Sequence, residues 1–268
     1  ENFNLVFDRK FDLTHFKNKY SFNSNNSYHS FLIDNNQNVI AGVSVIPMDY
    51  LLNNEPIKVG LVVDLFVLSE FRKDPLIILK LYVDLKKHII KDKLKIIVAV
   101  PNKNSVNYFV NLLKFKHSGN LNYWVMPINI GNVIFKRSNI ANTFSNVFSI
   151  FSINFNKLIS FFISSQKETF KIHLNVNNEF LETRFFGPYK AFKQSELEVY
   201  YRVVEEDGVR TAYLIYFKYK SIMGYKALLK AVKLIKDSEN IDLILYVGKL
   251  NFFQLLLFKV PKISEPKD

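Results

Sequence analysis

Val59-Gly60-Leu61-Val62-Val63-Asp64-Leu65-Phe66-Val67-Leu68 carries one charge in ten residues, and the turn Ser69-Glu70-Phe71-Arg72-Lys73-Asp74-Pro75 follows it directly. A strand apolar on both faces fits a sheet covered on both sides. Leu76–Lys91 reads as a helix in which Leu76, Leu79, Val83, Lys86, Lys87 and Ile90 give one apolar and one basic face. Its first turn, opened by Pro75, exposes unpaired N–H groups that can hold an anion, with Arg72 and Lys73 adding charge. The same pattern is also an ordinary helix start with solvated basic residues. Leu94–Val100 is a short apolar strand, Pro101-Asn102-Lys103-Asn104-Ser105 caps a helix over Val106–Lys114, and Phe115–Val125 reads as a further strand.

Upstream, Asp12–Tyr20 is weakly helical, and Tyr28–Ile33 and Asn38–Tyr50 form a hairpin around Asp34-Asn35-Asn36-Gln37. Asn53-Asn54-Glu55-Pro56 then returns the chain into the long strand. The order of elements is a mixed α/β domain ending near Pro127. The second half echoes it: strands at Tyr200–Arg202 and Arg210–Lys218 around Glu205-Glu206-Asp207-Gly208, a helix over Tyr225–Lys236 and an apolar strand at Ile241–Val247. Helix, polar turn and strand over Tyr225–Val247 repeat those of Ile77–Val100. The domains expected are 1–128, a linker and inter-lobe helix over 129–165 (linker Asn129–Asn142, helix Phe144–Ser164), and a degenerate second lobe over 166–268. Since the chain opens at Glu1 and not Met, residues before it are allowed for, including a first strand of the domain.

With 49% hydrophobic residues in 268, the chain can bury one large core or two smaller ones. Having no cysteine excludes disulfide and thiolate chemistry and suits a reducing, cytoplasmic compartment. The net charge of +12 favours anionic partners such as nucleotides, coenzyme phosphates, nucleic acid or an acidic membrane surface. Nucleic acid rests on that charge alone and is not expected. No signal peptide or membrane span is read: Phe144–Ser164 is interrupted by Asn146, Asn154, Asn156 and Lys157, and the apolar tail Leu250–Val260 is too short and is expected to be core. Peripheral membrane contact has no sequence support beyond charge, and a homodimer is compatible with the sequence.

Asp64 is the sharpest single residue. Within an apolar strand its carboxylate must be paired or open on a cleft, and burial suits a general base; equally, it caps a neighbouring backbone or pairs with a lysine. Asn104 and Tyr108, four apart on a helical face, are placed to orient a ligand amide and protonate a leaving thiolate, or are a capping Asn and a half-buried Tyr. His29, His88, His117 and His173 share no metal-ligand spacing, so no metal is expected.

Leu65 to Ile78, with Val98 to Ser105 and Phe109 to Phe115, resembles the core of the GCN5-related N-acetyltransferase (GNAT) superfamily, and the layout is similar to tandem GNAT-like proteins of bacterial surface-polysaccharide gene clusters. The resemblance implies a GNAT-like mixed central sheet flanked by helices in two tandem lobes. It also implies a bulge at Leu65-Phe66-Val67 whose backbone polarises an acyl carbonyl. A coenzyme A diphosphate would lie on the turn at Arg72, Lys73, Asp74, Leu76, Ile77 and Ile78, with Asn104 (or Asn102) nearby. Asp64 would be the base and Tyr108, or Phe109 by register, would stand at the acid position. The activity implied is transfer from acetyl-CoA or another acyl-CoA to an amine of a small molecule, such as a nucleotide-linked amino sugar. The alternative is a catalytically silent binding or assembly protein. Pro75 and Ile77 stand where the family turn has glycines, and Lys114 where it closes the helix with one.

Overall fold

The structure, a computed structural model, describes residues 2–8, 10–20, 27–92, 94–134, 138–160, 171–185, 187–248 and 258–259. The chain divides into two compact units, Glu1–Ser118 with Phe170–Arg184, and Gly119–Thr169 with Phe185–Asp268.

In the first unit two short helices, α1 (Asn2–Phe7) and α2 (Leu13–Tyr20), precede a five-stranded sheet. β1 (Tyr28–Ile33), β2 (Val39–Leu52), β3 (Glu55–Val67) and β4 (Ile96–Ala99) are adjacent in that order, and β6 (Ile172–Leu174) pairs with β2. The first hairpin closes because the Asp34 carboxylate accepts the N–H groups of Asn36 and Asn38, each at 2.8 Å. The second closes on Asn53 and Asn54, whose φ angles of 51° and 69° suit a tight two-residue hairpin. β3 then pairs with β4 in parallel, which the intervening helix α3 (Leu76–Lys91) makes possible. α3 buries Ile77, Ile78, Leu81, Leu85 and Ile89 in a cluster with Val43, Val45, Val62, Val67 and Phe109.

That buried face corrects the sequence reading, which placed Leu76, Val83 and Ile90 on the apolar side. These three are exposed, because the Ile/Leu run at 77, 78, 81, 85 and 89 carries more apolar surface at helical spacing.

In the second unit a six-stranded sheet runs β11–β5–β10–β9–β8–β7. Its strands are β5 (Tyr123–Pro127), β7 (Lys190–Gln194), β8 (Leu197–Glu206), β9 (Val209–Tyr219), β10 (Leu243–Val247) and β11 (Phe258–Lys259). Helix α7 (Ile222–Ser238) buries Tyr225, Leu228, Leu229, Val232 and Ile235 in a separate core with Val199, Leu214 and Ile244. α4 (Ile130–Val133) and α5 (Asn139–Ile159) also belong to this unit, and α6 (Asn178–Arg184) to the first.

The two sheets share a four-stranded unit. β1–β2–β3–α3–β4 and β7–β8–β9–α7–β10 each comprise two antiparallel pairings, a helix and a parallel return strand. The expected repeat of helix, turn and strand is therefore part of a larger repeated unit.

Three boundaries differ from the sequence expectations. Phe115–Val125 is a strand only from Tyr123, the segment before it being irregular. The supposed linker Asn129–Asn142 contains α4 and the start of α5. β5 pairs with β10 in the second sheet, so the division does not fall at residue 128. Of the tail Leu250–Val260, all but Phe258–Lys259 lies outside the described residues.

Candidate functional site

The register of β2 against β3 slips by one residue, with Ser44 opposite Val63 but Gly42 opposite Phe66. Asp64 and Leu65 together face the single residue Val43, which makes a β-bulge. Asp64 holds the left-handed conformation (φ 56°) that such bulges ordinarily give to glycine. Asp is among the few residues that tolerate it. The bulge thus begins one residue before the expected Leu65–Val67 stretch.

The bulge coincides with the point where two strands part. β3 and β4 pair from Val59↔Ile96 to Val62↔Ala99, and the pairing ends there. Beyond the bulge Leu68 donates to the Ile40 carbonyl at 2.9 Å, so by strand alternation Leu65 and Val67 turn their backbone groups away from β2. Val67 confirms the direction, since its carbonyl accepts from Nε of Arg72 at 3.0 Å. Phe66 is buried, and an added Cβ on the facing Gly42 would lie 2.6 Å from its ring.

Around Asp64 the structure gathers side chains that the sequence did not single out. Lys19 at the end of α2 pairs with Oδ1 at 2.6 Å, and the Tyr20 hydroxyl donates to Oδ2. Asp64 is thus paired with a lysine, one of the readings open for it beside general base and backbone cap. Ser44 Oγ lies 3.4 Å from the Tyr20 hydroxyl, and His29 Nδ1 lies 2.8 Å from Ser44 Oγ. With the carboxylate as terminal acceptor, the donors order themselves His29 Nδ1–H to Ser44, Ser44 to Tyr20, Tyr20 to Asp64. That tautomer leaves Nε2 of His29 with a free lone pair.

Burial pushes the Tyr20 phenol up, reinforced by its bond to Asp64, so it remains a donor. Partial desolvation lowers the His29 pKa against a weaker opposing pull from Asp64, so its imidazole is neutral at pH 7. A neutral imidazole connected through two hydroxyls to a carboxylate has the composition of a general base with its orienting group.

Several donors of the turn before α3 are already bonded within it. Arg72 N–H bonds Ser69 O, Asp74 N–H bonds Phe71 O, Ile77 N–H bonds Asp74 O, and Leu76 N–H is taken by the Asp74 carboxylate at 2.9 Å. Pro75 has no N–H. Arg72, Lys73, Asp74 and Leu76 are exposed, whereas Ile77 and Ile78 point into the core. In this arrangement the exposed Asp74 carboxylate stands at the helix start where an anionic ligand would lie, and it would have to turn aside for a coenzyme diphosphate.

The second turn also differs in detail. Asn104 lies in the turn Lys103–Ser105 and not on a helical face with Tyr108, and it is exposed. The capping role falls to Asn102, whose Oδ1 accepts from the N–H groups of Asn104 and Ser105 at 3.1 and 3.0 Å. Tyr108 opens a π-helical turn (Tyr108–Leu112) and is half-buried against the cluster that also receives Leu65 and Leu68. Lys114 ends that turn with φ 59°, the conformation a glycine would take.

No family model matches the chain, and no curated protein does. Among solved structures it is similar to a conserved protein of Enterococcus faecalis V583 described as a probable N-acyltransferase (TM-score 0.62, 12% identity, 96% of this chain and 66% of that one). It is likewise similar to a GCN5-related N-acetyltransferase from Anabaena variabilis (0.59, 12%, 95% and 64%). A third is the N-myristoyltransferase of Saccharomyces cerevisiae with bound myristoyl-CoA and inhibitors (0.56, 12%, 94% and 70%). The chain spans slightly less than two thirds of the length of the first two. The two matching sheets, each flanked by helices, and the likeness along almost the whole chain establish its architecture as a two-lobed GCN5-related N-acetyltransferase fold.

Proposed function

We propose that this protein is an N-acyltransferase that moves an acyl group from acetyl-CoA or another acyl-CoA to the amine of a small molecule. The observation that carries the reading is the bulge at Asp64 and Leu65, set where β3 and β4 stop pairing. It leaves backbone donors of β3 directed away from β2, and fixed N–H groups of this kind stabilise the oxyanion that develops on a thioester carbonyl. Amine attack forms the N–C bond and breaks the C–S bond. His29 Nε2 receives the amine proton, with Asp64 balancing the imidazolium through Tyr20 and Ser44. Tyr108 returns a proton to the thiolate. Asp64 thus acts as a positioning residue, and the sequence expectation that it takes the proton itself becomes the variant to test. The resemblance to proteins of polysaccharide gene clusters makes amino sugars, including nucleotide-linked ones, the first acceptors to try.

One observation favours a second reading, a catalytically silent GNAT-like binding protein: the occupied donors before α3. Calorimetry with acetyl-CoA and longer acyl-CoA thioesters separates the two. Saturable binding, followed by thiol release that depends on an added amine, supports the enzyme. Folded protein that gives no heat with either donor at millimolar concentration would falsify it.

A further inference from the structure

Helix α5 buries a mainly polar face. The side facing its own unit carries Ser145, Ser149, Ser152 and Asn156, with Ile153 as the apolar residue among the buried ones; Ser145 donates to the Ile128 carbonyl at 2.7 Å and Asn156 accepts from the Tyr225 hydroxyl at 2.7 Å. The opposite side carries Ile140 (85% exposed), Phe144 (74%), Val147, Phe151 (61%), Phe155 and Leu158 (68%), repeating every three or four residues in a single stripe, with Ile150 at its edge. From Ile140 to Leu158 the stripe is about 27 Å long at 1.5 Å per residue. Isolated exposed apolar residues need no explanation, but an unbroken stripe of this size marks a contact surface.

The charge around it names the partner. Within α5 the only charged residue is Lys157, Lys136 and Arg137 come just before its N-cap Ser138, and Lys167 follows it. From Gly119 to Lys167, within the sequence of its own unit, the chain has four Lys or Arg residues and no Asp or Glu, with Glu168 next. An apolar helical face in a stretch of sequence whose charges are all basic suits a helix lying on an anionic lipid surface, with its stripe at the acyl boundary. A second copy of the chain would bring another net charge of +12 to the same place, which self-repulsion opposes. Spanning is not at issue, since no described helix is long and apolar enough to cross a membrane.

We propose that the exposed face of α5 seats this protein on an anionic lipid surface. The test is co-sedimentation of the full chain with phosphatidylcholine vesicles with and without an equal part of phosphatidylglycerol, at about 50 and about 500 mM salt. The expected result is binding to the anionic vesicles, weakened by salt, and lowered about tenfold or more by the double substitution Phe144→Ser, Phe151→Ser. Both side chains are exposed, so circular dichroism should show an unchanged fold. Phe144→Trp should show blue-shifted emission with anionic vesicles only. Protein left in the supernatant at low salt, or a double variant that sediments like the parent, overturns the proposal. A dimer in light scattering that the same double substitution dissociates, without vesicle binding, assigns the stripe to a second copy instead.

Discussion

At the scale of single residues, Asp64 joins a backbone role to a side-chain role. Its left-handed φ makes the bulge, and its carboxylate ends the chain of donors from His29. Asp64→Asn separates the two, because Asn also tolerates that conformation while removing the charge. Turnover is expected to fall roughly 10²–10⁴-fold with the acyl-CoA dissociation constant nearly unchanged. Loss of coenzyme affinity in parallel would show the carboxylate to be structural. His29 gives the pH dependence. Its pKa lies below the usual 6.5, and only the neutral form accepts a proton, so kcat/KM rises with pH through that lowered value and levels off above it. In His29→Gln the acid limb disappears along with most of the rate; a limb that persists would assign it to another group. Lys114 is a residue of a different kind, a side chain held at φ 59° where glycine costs nothing. Lys114→Gly should stabilise the protein by about 1 kcal/mol in thermal melts, and destabilisation would mean that the lysine makes a compensating contact.

Among the elements, the turn between β3 and α3 is where the diphosphate of the proposed acyl-CoA donor would meet a helix start. The Asp74 carboxylate caps Leu76 N–H and places a negative charge at the positive end of the helix. Asp74→Ala frees that donor and removes the charge that would repel a diphosphate. Acetyl-CoA should then bind about tenfold more tightly, at a cost of about 1 kcal/mol in stability for the lost cap. Unchanged or weaker binding would place the phosphates away from α3. Much at this level was legible in the sequence: β1 and α3 have the expected limits, and the bulge lies beside the expected residues. The polar cluster was not. From the turn at Asp34 a regular hairpin would set His29 opposite Val43, but a slip between Leu32 and Ile33 moves it to Ser44. One inserted residue, invisible to a period-two reading, decides which side chains meet. Lys19 and Tyr20 reach Asp64 from a helix more than forty residues away in sequence, a contact that no local pattern encodes.

For the whole molecule, the shared topology extends to the irregularity itself. On β9, Leu214 faces Tyr201 and Tyr216 faces Tyr200, so Ile215 is an extra residue, and the parallel pairing with β10 ends at Leu214. Each unit therefore has a bulge where its parallel strand departs, but in the second Ser221 caps α7 only two residues after β9, with no long turn between. Chain order hid this organisation, because β5 joins the second sheet and the β6 segment returns to the first. The two buried clusters share no residue, and each encloses its own helix, α3 or α7. A cavity made in one should therefore loosen that unit and spare the other. Leu81, fully buried in α3, is the probe: Leu81→Ala should cost about 2–5 kcal/mol. Amide hydrogen exchange, followed strand by strand, is expected to accelerate at Val43, Val45 and Val62 while Val199, Leu214 and Ile244 keep the protection of the parent protein. Equal acceleration in both sets would show that the two cores unfold as one cooperative body, and the repeat would then be one of topology without energetic independence.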